Sequence, residues 1–140
     1  MKELGTFGAI CTFGAALEGN VALFLEEAAV TSNAPVISEV LNVVAQVHRK
    51  RQRQLERIRR ENVTEMILEP ISGLYEEEWQ LDRGGTADKS AALEEKMRGF
   101  YLAAAAKVSI PQVARLFAKL AEENSILAQQ VRSAVSGSRG

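Results

Sequence analysis

An ungapped internal repeat constrains this chain more than any other feature. The stretch AALEGNVALFLEEAA, Ala15 to Ala29, lies over AALEEKMRGFYLAAA, Ala91 to Ala105, at a constant offset of 76 residues. The same offset carries Pro35 onto Pro111, Leu41 onto Phe117, Ala45 onto Ala121 and His48 onto Asn124. Two copies of one helical hairpin are expected, neither able to bury its apolar face alone. The repeat also marks which polar residues occupy equivalent interior positions.

With 140 residues, 46% of them apolar and 25% charged, the chain suits a single soluble domain with a real core. A formal net charge of −1 gives no global pull towards nucleic acid or anionic membrane. The single cysteine, Cys11, excludes an internal disulfide framework and any multi-cysteine metal site, and reads as a small buried apolar residue. The apolar start, Leu4 to Leu17 after Lys2, resembles a signal peptide superficially. Glu18, the helical spacing beyond it and the match to an internal copy favour a first mature helix and a cytoplasmic protein.

Helical periodicity runs through most of the chain. Phe7, Cys11, Gly14, Glu18, Val21, Leu25 and Ala28 recur at steps of three and four, as do Ile37, Leu41, Val44, His48, Arg51, Leu55 and Ile58. Pro35 falls where a helix tolerates proline, behind the potential cap Asn33. Glu94, Met97, Tyr101 and Ala104 define a third stripe; Val113, Phe117, Leu120, Asn124, Leu127, Val131 and Ala134 define a fourth, entered through Ser109 and Pro111. Nothing reads as a strand. The spacing predicts one domain over residues 1–135, with helices at about 3–31, 35–67, 87–107 and 110–134. A linker at about 69–86, with a short helix around Tyr75 to Leu81, and a flexible tail at 136–140 complete the outline. Two short hairpins and one long crossover predict an all-α, ferritin-like four-helix bundle.

The second copy, LEEKMRGFYLAAAAKVSIPQVARLFAKLAEEN, resembles the helix pair of rubrerythrin-like members of the ferritin-like superfamily. The likeness is carried by Glu94 seven residues before Tyr101, by the proline-initiated helix and by LFAKLAEEN, and covers roughly residues 5–135. It implies a carboxylate-bridged metal pair in the bundle core, with one Glu from each of two helices and a Glu-x-x-His from each of the other two. The single-Glu positions fall on Glu18 and Glu94. The Glu-x-x-His positions hold His48 and Arg51 in helix two, and Asn124 and Leu127 in helix four. Arginine has no lone pair to give a metal and leucine has no donor. With one histidine in the chain, an ordinary two-histidine di-iron site is excluded, and the missing cysteines exclude a rubredoxin-type module.

Glu18, His48, Arg51, Glu94, Tyr101 and Asn124 are therefore expected to converge as a residual polar core. Arg51 is expected to take Glu18 or Glu94 in a bidentate pair and replace the charge of a lost cation. An alternative keeps one Fe, Mn or Zn ion on Glu18, His48 and Glu94, with an oxidoreductase or iron-handling role; Arg51 one turn away opposes it. Glu26, Glu27, Glu122 and Glu123 read as solvated, and Glu95 as partly outward.

The run RKRQRQLERIRR, residues 49–60, carries seven Lys or Arg against one Glu. Arg49, Lys50, Arg53, Arg57 and Arg60 form a basic patch that suggests anion or nucleic-acid binding as a second alternative. No aromatic residue is interleaved to stack on bases, and Glu56, Glu61 and Glu65 offer partners one turn away. The patch could instead meet the acidic segment Glu61 to Asp82 across a subunit interface. Phe13, Leu23 and Phe24 lie off the main stripe and point to a homodimer, unless the linker covers them. The reading is a non-catalytic structural or interaction module with no catalytic residue, no small-molecule substrate and no membrane partner.

Overall fold

The computed structural model describes residues 2–62, 71–81 and 84–139, residues 138 and 139 by their backbone alone. The described residues are helical in four elements: α1 (Phe7–Thr31), α2 (Pro35–Glu61), α3 (Ala87–Lys107) and α4 (Pro111–Arg139). One 3₁₀ turn, Glu76–Trp79, lies between α2 and α3, within the stretch where a short helix is expected. The only bridge pairing among the described residues is the isolated contact Glu3–Tyr75.

Helix α1 begins at Phe7 rather than near residue 3, because Thr6 ends an extended segment and its Oγ1 accepts from the Ala9 N–H at 3.0 Å. Residues 2–5 pair with the linker instead: the Leu4 N–H donates to the Leu74 carbonyl at 2.7 Å and Ile71 to Gly5 at 2.9 Å. Leu4 and Leu74 are thereby buried together at one end of the bundle. Helix α2 starts at Pro35 behind Ala34, whose side chain makes no cap; Asn33 does not serve as one. The turn is tied instead by Ser38 Oγ, which donates to the Ala29 carbonyl at 2.7 Å. Asn62 closes α2 with its backbone N–H on the Ile58 carbonyl; the expected continuation over 63–67 lies outside the described residues. Helix α4 runs to Arg139 rather than stopping near 134, so 136–139 are helical and not a loose tail. No proline interrupts that stretch, and one internal glycine, Gly137, costs a helix only about 1 kcal/mol.

α1 packs chiefly on α2, and α3 on α4; the pairs join where α2 meets α4 and α1 meets α3. Phe13 and Phe100 touch at 5.6 Å across α1 and α3, while Trp79 packs edge-on to Phe100 at 5.9 Å. Burial repeats at the offset of 76: Val21 and Met97, Leu25 and Tyr101, Ala28 and Ala104, Leu41 and Phe117, and Leu55 and Val131 are all buried. By length and composition α1 is apolar enough to cross a membrane, yet most of its apolar residues line the bundle interior around a central Glu18.

Of the residues suggested for a subunit interface, Phe24 is buried against linker residue Gly85, and Phe13 is half-buried against Phe100. Leu23 remains 57% exposed.

Candidate functional site

Each helix contributes to one buried polar layer: Glu18 from α1, His48 and Arg51 from α2, Glu94 and Tyr101 from α3, and Asn124 from α4. None is more than 3% exposed. The helical pitch puts them there, since His48 and Arg51 sit one turn apart, and Glu94 and Tyr101 two turns apart, on inward faces.

His48 lies between the two glutamates. Its Nδ1 is 2.5 Å from Glu18 Oε2 and its Nε2 is 2.6 Å from Glu94 Oε2. The remaining carboxylate oxygens are also met: Tyr101 donates its hydroxyl to Glu18 Oε1 at 2.5 Å, and Asn124 donates Nδ2 to Glu94 Oε1 at 2.8 Å. Every carboxylate oxygen thus has one donor, which is the condition for keeping two acids out of water. Burial alone would push the His48 imidazole down. The charges of Glu18 and Glu94, and their hydrogen bonds, outweigh it and raise the group from 6.5 to about 9. At neutral pH the ring is an imidazolium donating from both nitrogens.

Arg51 adds the second positive charge. Its NH1 donates to Asn124 Oδ1 at 3.0 Å, and its NH2 to the Leu120 carbonyl at 3.0 Å and to Glu123 Oε1 at 3.2 Å. Glu18 Oε1 is 3.5 Å from NH1, and the guanidinium lies 5.7 Å from the Tyr101 ring centroid. Two carboxylates, one imidazolium and one guanidinium sum to zero formal charge. The expected bidentate pair with Glu18 or Glu94 does not form, because His48 already holds one oxygen of each. Burial, then the neighbouring Glu18 charge, push the Tyr101 phenol well above its usual 10.

Glu123 is the contact that sequence reasoning missed. Its side chain is 43% exposed, yet it reaches Arg51 from the position before Asn124. Its one-residue displacement from the α4 stripe reads as solvation, and only the length of Arg51 brings the two together. Ser90 is also buried, with its hydroxyl donating to the Thr86 carbonyl one turn back. Glu27 and Glu122 are exposed; Glu26 pairs with Arg49 at 2.8 Å, and Glu95 with Arg132 at 3.4 Å.

A di-metal centre does not fit this layer. Arg51 and Leu127 stand where the expected pattern calls for histidines, and Leu127 is packed in the apolar core. A single ion on Glu18, His48 and Glu94 fits no better, since the two carboxylates face opposite nitrogens of the ring rather than one point. Among the described residues no three His, Cys, Asp or Glu side chains converge as a metal site. The surface grooves among the described residues, one of them about 790 Å³, are lined by other residues.

The basic patch is divided. Arg49 is bound to Glu26, Arg57 lies 3.8 Å from Glu61, and Lys50, Arg53 and Arg60 are exposed. Glu65 lies outside the described residues. Cys11 is buried beside the α2 end, and burial, against the opposing pull of Arg59, pushes its thiol up to about 12. An un-ionised thiol is a poor nucleophile and metal ligand.

Comparison of the chain with protein-family models, with curated proteins and with solved structures finds no match.

Proposed function

We propose that this chain is a ferritin-like, rubrerythrin-type bundle in which a charge-neutral hydrogen-bonded cluster takes the place of the metal pair. It acts as a non-catalytic structural or interaction module. The carrying observation is His48, whose two ring nitrogens each engage a carboxylate and leave no lone pair for a metal or a proton.

The topology supports this reading. Phe13 against Phe100 and Phe24 against Gly85 set α1 and α3 antiparallel. With tight turns inside each hairpin, α2 and α3 then run parallel, the arrangement that two hairpins joined by a long crossover require. The repeated burial at an offset of 76 supports two copies of one hairpin, with Glu18 and Glu94 at equivalent places.

Metal analysis of protein purified without chelator tests the proposal. Fe, Mn and Zn together should fall below about a tenth of an equivalent per chain. One equivalent, lost on His48→Ala, would overturn it in favour of a mono-metal protein.

A further inference from the structure

Helix α2 carries a second apolar seam that the bundle covers only in part: Val40 and Val47 pack on the core, and Val36 and Val43 do not. Val36, Val40, Val43 and Val47 follow one another at steps of four, three and four, the period of a helix-pairing interface, beside the inward stripe. Val36 is 63% and Val43 59% exposed, while Val40 and Val47 are half-buried. Across a groove of about 790 Å³, Ile126 of α4 is 56% exposed, and Glu39 is the one charged residue lining that groove.

The repeat supplies an internal control. At the matching positions of α4 the chain has Gln112, Leu116, Lys119 and Glu123. Val36 and Val43, the two exposed valines, thus stand where the other hairpin packs with the polar Gln112 and Lys119, and they answer to something outside the bundle. Contiguous exposed apolar surface with a polar rim marks an association site.

We propose that a second copy of this chain covers the seam, with the two α2 helices antiparallel about a two-fold axis near Val43 and Val47. An isologous contact requires the seam to complement itself. In this register Val43 faces Val47 of the partner subunit, and Glu39 falls opposite Lys50 of the partner subunit, twice over. Glu39 and Lys50 are both exposed, lie on the same edge of the seam, and have no partner within the chain among the described residues. A largely uncharged groove offers little to a highly charged partner, whereas a second copy covers Val43 and Val47 and pairs the charges. The proposal rests on reading the chain as an interaction module, but mass and metal content are separate measurements, so either can fail alone.

Sedimentation equilibrium on the full chain decides it. Wild type should show twice the 15.3 kDa chain mass at about 50 μM. Val43→Arg should raise the dissociation constant at least about tenfold with helicity by circular dichroism unchanged. Glu39→Lys should weaken the dimer about threefold to tenfold, and adding Lys50→Glu should restore it. A single-chain mass for wild type overturns the proposal, as does a dimer indifferent to Val43→Arg. Failure of the double charge reversal to restore association overturns the antiparallel register.

Discussion

At the scale of single residues, His48 organises the buried layer because it is the one group that touches both acids. Its folded value of about 9 stands above the ordinary 6.5, which fixes the direction of the pH effect. Below 6.5 folded and unfolded chains both hold the proton, and the stabilisation is complete. Between 6.5 and about 9 only the folded chain holds it, so stability falls by about 1.4 kcal/mol per pH unit. A loss on the order of 3 kcal/mol is expected once pH passes 9, measurable as a falling urea midpoint. A flat profile over that range would contradict an imidazolium. His48 is the only histidine, so its ring nitrogens can be followed by ¹⁵N NMR without further assignment, and both should report N–H at pH 7.5. Tyr101→Phe should cost about 1–3 kcal/mol, because Glu18 Oε1 then retains only Arg51, at 3.5 Å. Glu94→Ala should cost more, about 3–5 kcal/mol, since it strands His48 and the Asn124 amide beside an unbalanced positive charge.

At the scale of elements, the helices are set by caps and by a few close approaches. Thr6 supplies one orphan N–H of α1, that of Ala9, with an acceptor, and Thr6→Ala should lower stability by about 1 kcal/mol. The linker is held more tightly than its turn-rich sequence suggests. A Cβ at Gly85 would lie 2.1 Å from the Phe24 carbonyl oxygen, so the backbones touch there and only glycine fits. Gly85→Ala should therefore push the linker off α1. Its expected readouts are a loss of about 1–3 kcal/mol and a red-shifted emission from Trp79, the only tryptophan, which packs on Phe100 and lies close to Gly99. Unchanged emission would place the linker contact outside the folding energetics.

At the scale of the whole molecule, the two hairpins share an apolar framework and differ in what they place at its centre. His48 and Asn124 occupy matching positions, one a cation and the other a neutral amide that relays Glu94 to Arg51. If the bundle is a ferritin-like scaffold, the metal pair should be recoverable from four changes: His48→Glu, Arg51→His, Asn124→Glu and Leu127→His. That variant is expected to bind about two divalent ions per chain, with a thermal midpoint that rises on metal addition, while wild type shows neither. A fully folded variant without metal affinity would count against the proposed ancestry.

The sequence by itself determined that the chain is helical, where the hairpins divide, and that six particular polar residues lie on inward stripes. Those properties are local, since a period of 3.6 residues and an offset of 76 can be read from residue types alone. Helix ends were less legible: the early start expected for α1 failed because residues 2–5 pair with a linker some 70 positions away. Which buried groups pair was decided only by the tertiary structure. Arg51 pointed towards a bidentate carboxylate pair on charge alone, yet the separation of α1 and α3 admits an imidazole between Glu18 and Glu94, and the guanidinium is displaced onto Asn124, Leu120 and Glu123. Stripe membership follows from spacing along one helix. Partner choice follows from distances between helices, which no single stripe encodes.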